Sequence, residues 1–237
     1  AGDALTDADY NVALGYGALS TDTLGSTSIA IGTNALATQN FTTATNAYNV
    51  AVGDSAGVAI TTGVNNTLIG GLAGDALTDA DGNTALGLLA LSSDTLGSRS
   101  TAIGRSALQT QNFTTATNAY NVAVGFDAGT AVTTGIRNTL MGSQAGDALT
   151  DADDNVAVGA LALSADTLGS KSTAIGRGAL KIQNFTTATD SHNTAVGYSA
   201  GEFLTTGTEN TIVGALAADA MTEGVQNPAI GYMALSA

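Results

Sequence analysis

Short aliphatic triplets followed by glycine recur along the chain and predict β-strands. Each triplet lies in a nine-residue signature that begins with Asn or Ser, as in NVALGYGAL at 11–19 and SIAIGTNAL at 28–36. Large and small side chains alternate, so an extended chain directs Val12 and Leu14 to one face and Ala13 to the other. Because neither face is charged, we expect both faces to be covered in the folded protein.

The spacing of the signatures predicts a solenoid. Their glycines repeat at intervals of 17, 21, 17 and 17 residues, and the thirteen of them are Gly15, Gly32, Gly53, Gly70, Gly87, Gly104, Gly125, Gly142, Gly159, Gly176, Gly197, Gly214 and Gly231. Units this short must bury their apolar side chains against neighbouring units in a stack. Frequent glycines and β-branched residues argue against helices. We therefore predict an all-β fold, a parallel β-solenoid (β-roll) of 13 short coils.

A longer period groups the coils in fours. AGDALTDAD occurs at 1–9, 73–81 and 145–153, and blocks 1–72 and 73–144 share 53 of 72 residues. The chain divides into superrepeats 1–72, 73–144 and 145–216 with a partial copy at 217–237, which predicts a single β-solenoid domain over 1–237.

The strand pattern also predicts which side chains lie inside. We expect Leu14, Ile31, Val52 and Ile69 to fill the interior of successive coils, and an identical chain to cover the opposite strand face. The Asn or Ser before each strand is predicted to be a scaffold residue that hydrogen-bonds along the stack.

Composition narrows the functional classes. The net charge of −14 argues against a nucleic-acid partner, since binding phosphates requires clustered Lys and Arg. The absence of cysteine excludes disulfides, thiolate catalysis and Cys-ligated zinc. No apolar run is long enough to span a bilayer, so we expect no membrane insertion in this segment, which we take to be part of a longer protein.

Three signatures, SIAIGTNAL at 28–36, STAIGRSAL at 100–108 and STAIGRGAL at 172–180, resemble the SVAIG-type repeats of trimeric autotransporter adhesin heads (YadA-type). NTAVGYSAG at 193–201 is similar to repeat arrays of phage tail fibres. The resemblance implies a homotrimer of left-handed parallel β-rolls in which motif aliphatics fill each coil. The coils of 17 or 21 residues are longer than the typical adhesin-head repeat.

Two segments match the Gly-x-Ser-x-Gly pattern of serine hydrolases, GDSAG at 53–57 and GYSAG at 197–201. The equivalent segment of the middle block has Asp127 at the serine position, so the serine occupies a variable position. The single histidine, His192, replaces the tyrosine found at 48 and 120. We expect no enzymatic activity and no cofactor.

Acidic clusters provide the weak candidates for metal ligands, which are Asp7, Asp9, Asp79, Asp81, Asp151 and Asp153. Asp79 to Asn83 resembles the start of a calcium loop, but Thr84 and Ala90 replace its required glycine and glutamate. Because the clusters recur only once in four coils, solvated turns are the preferred interpretation, and no metal is predicted.

The 21-residue coils share an inserted sequence, QNFTTATNAY at 39–48 and 111–120 and QNFTTATDSH at 183–192. Its aromatic residues have two interpretations. They pack into gaps between coils or subunits, or they form a protruding contact surface. The candidates for that surface are Phe41, Tyr48, Phe113, Tyr120 and Phe185.

The expected function is that of a structural fibre or adhesin segment, a trimeric rod on a cell surface or virion that attaches to a host-cell or extracellular receptor. One alternative is a tail-fibre shaft without intrinsic binding. Another is an ice- or crystal-surface-binding solenoid, which requires threonines in register on successive coils. The threonines at 42, 43, 45, 61 and 62 suggest that this register is broken.

Overall fold

The computed structural model describes residues 1–236 and confirms the predicted fold class. The described chain contains β-strands and turns and no helix. It divides into two compact units, Ala1–Tyr120 and the residues from Asn121 onward. Each unit is a parallel β-solenoid, with six coil strands in the first and seven in the second, thirteen in all.

The strands are two or three residues long, and one three-residue strand occurs in each coil. Those of the first unit are β1 (Val12–Leu14), β2 (Gly25–Ser26), β3 (Ile29–Ile31), β4 (Thr45–Asn46), β5 (Val50–Val52), β6 (Thr67–Ile69), β7 (Thr84–Leu86), β8 (Gly97–Ser98), β9 (Thr101–Ile103) and β10 (Thr117–Asn118). Those of the second unit are β11 (Val122–Val124), β12 (Thr139–Met141), β13 (Val156–Val158), β14 (Gly169–Ser170), β15 (Thr173–Ile175), β16 (Thr189–Asp190), β17 (Thr194–Val196), β18 (Thr211–Val213) and β19 (Pro228–Ile230).

The three-residue strands form the main parallel sheet of each unit, and equivalent residues lie side by side. In the first unit Ala51 of β5 is paired with Ala30 of β3 and Leu68 of β6. The two-residue strands pair only beside the 21-residue coils, as β2 with β4, β8 with β10 and β14 with β16. Each coil is therefore held by the backbone of its neighbours.

The structure corrects the predicted direction of the strand side chains. The middle residue of each triplet faces the interior, and Ala30, Ala51 and Leu68 are completely buried. Leu14, Ile31, Val52 and Ile69, expected inside, lie on the outer face, where Leu14 is 65% exposed and Ile69 36%.

The narrow interior explains this arrangement. Opposite the strand lies a turn residue, completely buried Leu36 in one coil and Gly74 in another. Gly74 occurs where the middle strand residue is the large Leu68, and a methyl group on Gly74 would lie 2.8 Å from Leu68 Cδ2. Leu68 also reaches the preceding coil, where a Cβ atom on Gly57 would lie 2.7 Å from Leu68 Cδ1. The large side chains therefore already fill the space between strand and turn, and the outer strand residues have no room inside.

The signature glycines are required by the close approach of successive coils. Gly53 has φ +145°, and a Cβ atom there would lie 2.4 Å from the carbonyl oxygen of Gly70. Gly70 has the same relation to Gly87, at 2.5 Å. Any side chain would separate the coils, which accounts for glycine in every repeat.

The buried asparagine before the strand connects each coil with the next, which confirms its predicted scaffold role. Asn66 Oδ1 accepts a hydrogen bond from the backbone N–H of Asn83 at 2.9 Å, and its Nδ2 donates to the carbonyl of Ala80 at 2.7 Å. In the second unit Asn138 makes the same pair of bonds with Asn155 and Ala152. An amide side chain suits this position because it offers both an acceptor and donors.

A buried polar network replaces this link at the 21-residue coils, which begin with serine. Asp22 is fully buried, and its carboxylate accepts hydrogen bonds from Gln39 Nε2 at 2.6 Å and from the backbone N–H groups of Gly25 and Phe41 at 3.0 and 3.1 Å. Gln39 also donates to Ser28 Oγ at 3.1 Å. The network recurs around Asp94 with Gln111 and around Asp166 with Gln183. These donors compensate for the burial of the carboxylate.

The phenylalanines of the long coils belong to the interior. Phe41, Phe113 and Phe185 are each 6% exposed. Phe41 lies over Gly25, where a Cβ atom would come 2.7 Å from the ring. This burial supports the packing interpretation and removes the three phenyl rings from the candidates for an exposed contact surface.

Replacing Phe41 by alanine should lower the free energy of unfolding by about 3–5 kcal/mol, because it leaves a cavity of ring size in the interior. Chemical denaturation would measure the loss. Thr43→Ala is the control in the same inserted sequence, since Thr43 is exposed and lies on neither border of the sheet, so its removal should have a small effect on stability. Equal stability of Phe41→Ala and the wild type would contradict the interior assignment.

Candidate functional site: the outer sheet face and its borders

The outer face of each main sheet carries two columns of largely apolar side chains, the first and third residues of the strands. In the first unit the third column is entirely aliphatic and consists of Leu14, Ile31, Val52, Ile69, Leu86 and Ile103. In the second unit it consists of Val124, Met141, Val158, Ile175, Val196, Val213 and Ile230. The first column is mixed, with Val, Ile, Thr and Pro. The face is therefore a partly exposed strip without charges, with threonine at seven of the thirteen first-column positions. We call it the aliphatic strip after its third column.

Two further columns border this strip, and we name them by their place in the sequence. The leading border is the residue immediately before the buried Asn or Ser. The trailing border is the residue immediately after the signature glycine. Leading-border residues are Tyr10, Thr27, Tyr48, Asn65, Gly82, Arg99, Tyr120, Arg137, Asp154, Lys171, His192, Glu209 and Gln226. Trailing-border residues are Tyr16, Thr33, Asp54, Gly71, Leu88, Arg105, Phe126, Ser143, Ala160, Arg177, Tyr198, Ala215 and Tyr232.

Arginine and tyrosine interact along the borders. The Arg99 guanidinium lies 5.6 Å from the centre of the Tyr120 ring and donates a hydrogen bond to its hydroxyl at 2.5 Å. In the second unit Arg177 lies 5.8 Å from the centre of the Tyr198 ring. These contacts hold the cations against the surface through cation–π attraction.

Two other border cations are paired with carboxylates. Arg137 donates to both oxygens of Asp154, at 2.5 and 2.8 Å. The hydrogen bond from Arg137 lowers the pKa of Asp154 below its ordinary value of 3.8. Lys171 lies 2.5 Å from Asp190. Both pairs are solvent-exposed, so they orient side chains more than they stabilise the fold.

The two predicted contact tyrosines are on the leading border. Tyr48 and Tyr120 are 56% and 48% exposed, in contrast to the buried phenylalanines of the same inserted sequence. The sequence prediction missed the rest of both borders. The trailing border could have been found from the strong variation between blocks at the residue after the signature glycine, as in Tyr16, Leu88 and Ala160.

The candidate metal ligands make hydrogen bonds between coils. Asp79 accepts from the Thr62 hydroxyl at 2.6 Å, and Asp81 from the backbone N–H of Val64 at 2.8 Å. In the second unit Asp151 and Asp153 accept in the same way from Thr134 and Ile136. Asp7 and Asp9 lie exposed in the first turn. Within residues 1–236 no three acidic, histidine or cysteine side chains are grouped as metal ligands would be.

Another acidic position is partly enclosed. One carboxylate oxygen, Oδ1, of Asp75, Asp147 and Asp219 has no hydrogen-bond partner among the described residues and is shielded from solvent. Burial raises the pKa of Asp75 and of Asp147 above the ordinary value of 3.8. Superrepeats 73–144 and 145–216 therefore each contain one carboxylate whose charge is unfavourable in the folded chain.

The serine motifs lie in tight turns. Ser55 and Ser199 have φ values of +55° and +50° and occupy the same position of their coils. Ser199 is buried and His192 is exposed on the leading border, and no hydrogen bond joins the two side chains in the described structure. The positions of Ser55, Ser199 and His192 are therefore those that the repeat gives to any residue at these places in the coil.

The threonine register is more regular than the sequence analysis expected. Thr61, Thr78 and Thr95 occupy one position of three consecutive coils. The hydroxyl of Thr61 donates to the carbonyl of Thr78 at 3.3 Å, and that of Thr78 to the carbonyl of Thr95 at 3.0 Å. The expectation of a broken register is wrong for this column. Its hydroxyl groups, however, already donate hydrogen bonds to the next coil.

Comparisons of the chain with protein-family models, with curated proteins and with solved structures give no match. Over residues 1–236 there is no helix with the length and apolar character of a membrane span.

Removal of calcium should leave the melting temperature unchanged, because the acidic turns are held by hydrogen bonds from neighbouring coils. Thermal unfolding with and without a chelator tests this directly. A decrease on chelation that added Ca²⁺ reverses would instead indicate a metal site.

Asp75→Asn should raise the melting temperature at neutral pH, because it removes a charge from an enclosed position. The pKa of Asp75 is raised in the folded chain, so the wild type gains stability as pH falls through that pKa and the group becomes neutral. The advantage of the variant should therefore shrink as the pH approaches about 4. Asp79→Asn, at an exposed side chain, is the control, and a pH-independent advantage of Asp75→Asn would contradict the assignment.

Proposed function

We propose that the chain is a self-associating structural segment of a surface fibre or adhesin head, in which identical copies pack through the outer sheet face. The observation that carries the proposal is the exposed aliphatic strip. Its third column is apolar at each coil strand of both units. The first column carries threonine at seven of thirteen positions, and no charged side chain interrupts either column. Such a face is typical of an interface rather than of a surface that remains in water.

Covering the exposed third-column side chains would contribute free energy to association. Leu14, Leu86 and Ile69 are 65%, 43% and 36% exposed, although the coils bury even their small alanines completely. Each square ångström of apolar surface removed from water contributes about 25 cal/mol. A column repeated along each unit gains this energy at every coil when a second copy covers it.

The resemblance to trimeric adhesin heads adds the number of copies and the cellular setting to the proposal. It supports a homotrimer of left-handed coils on a cell surface or virion that contributes to attachment to a host-cell or extracellular receptor. The net charge of −14 is compatible with this role, because it favours solubility of a repetitive surface protein. The alternative function is a shaft that assembles in the same way but only holds a separate binding domain at a distance. Binding of the labelled assembly to cells distinguishes the two.

The assembly is tested by its mass. Light scattering of the wild type should give about three times 23.2 kDa. Ile69→Asp should reduce this to one chain with unchanged circular dichroism, because association would bury an unpaired carboxylate from each copy. Thr43→Asp places the same charge on an exposed side chain of the long coil and should leave the assembly intact. A folded wild-type monomer would overturn the proposal.

A further inference from the structure

Tyrosines and cations are concentrated in the two border columns. All six tyrosines of the chain lie there, three on the leading and three on the trailing border, as do five of its six Lys and Arg residues. Most carboxylates lie elsewhere, for example at Asp79 and Asp81 on the acidic turns. Tyrosine and arginine are the residues most enriched in protein interfaces.

We propose that the leading border of one copy contacts the trailing border of the next, so that the Tyr and Arg side chains make contacts between subunits. The inference rests on the proposed function and specifies which surfaces meet. A rotation axis parallel to the coil stack brings these unlike borders together. An antiparallel two-fold pairing would instead bring each border against its own copy.

The area of the sheet face supports a role for the borders. Three-residue strands at about 3.3 Å per residue and 4.8 Å per coil give the two main sheets roughly 600 Å² together. A stable interface buries about 800 Å² on each partner. The seven residues from one border to the other span six residue steps, about twice the width of the three-residue strands, so including the borders provides the missing area.

The arginine–tyrosine pairs are suited to such contacts. Arg99 and Arg177 have no carboxylate partner among residues 1–236, although the chain carries 20 acidic residues. Each is held over a tyrosine, Tyr120 or Tyr198. A cation fixed in this way loses little conformational entropy when a second surface covers it.

The two borders are also complementary in size at several coils. The relation is confined to a few coils. In four of them the residue on one border is larger than the residue that flanks the same strand on the other border, whereas Arg99 with Arg105 and Lys171 with Arg177 pair two long cations. The four unequal pairs are Arg137 with Ser143, Asp154 with Ala160, Glu209 with Ala215, and Gly82 with Leu88. At these four coils, contact between unlike borders would set a longer side chain against a shorter one.

Disulfide trapping tests the contact, since the chain has no cysteine. Thr27→Cys combined with Thr33→Cys places one thiol on each border beside β3. About five residues of extended chain separate them, so they cannot reach each other within one copy. Mild oxidation of the assembled double variant should give a covalent species of about three chains on a non-reducing gel.

The single variants Thr27→Cys and Thr33→Cys should remain uncrosslinked, as should Thr33→Cys combined with Thr43→Cys on the long coil. Glu209→Cys with Ala215→Cys repeats the test in the second unit should the first pair fail to fold. A trimeric mass without crosslinks in either double variant overturns the border contact and leaves the proposed function standing. Crosslinked pairs from a single variant indicate like borders in contact and overturn it too. A monomeric mass overturns both proposals.

Discussion

The hydrogen bonds of the buried asparagines determine how this chain folds. Each side chain joins the beginning of a coil to its end and to the start of the following coil, as Asn66 does with Ala80 and Asn83. A coil of 17 residues has too little apolar volume to hold this shape alone. The hydrogen bonds of the asparagine side chain close each coil and fix its position on the next coil. The direction of the strands, the contact between signature glycines and the outer sheet face therefore all follow from one repeated hydrogen-bonded link. Loss of the side chain would leave backbone groups unpaired in the interior.

The number and stacking of coils could be predicted because glycine spacing and strand pattern are periodic in the sequence. The direction of the strand side chains could not be predicted, because the alternation in Val-Ala-Val is compatible with either the valines or the alanine facing the interior. The outcome depends on the space opposite the strand, which the turn residue either fills, as Leu36 does, or leaves to a strand side chain, as Gly74 leaves it to Leu68. These turn residues have left-handed backbones, with φ +49° at Leu36. A leucine in that conformation carries no turn signal in the sequence, since glycine or asparagine is the usual occupant.

The candidate site was predictable only in part. The two exposed tyrosines of the inserted sequence were found because the insertion is conspicuous. Asp22 and Gln39 were missed because they lie in separate coils, and neither the sequence DTLGS at 22–26 nor QNFTT at 39–43 shows that they meet in the interior. The borders were missed because their residues vary from coil to coil, so only the three-dimensional stack shows that Arg99 and Tyr120 share a column. Motif matches such as GDSAG gave no guidance, because the repeat generates them by variation at one position.

The network around Asp22 has a consequence for how such a chain can grow during evolution. Its carboxylate lies in one coil, its partners Gln39 and Phe41 in the next, and Asn49 of the third coil donates to Gln39. Duplication of a single coil would separate a buried charge from its donors or leave a glutamine facing an apolar side chain such as Ile60. A copy of the whole group of four transfers every partner together. The unit of inheritance is therefore the 72-residue block rather than the coil, which explains why neighbouring coils have diverged while successive blocks have remained alike.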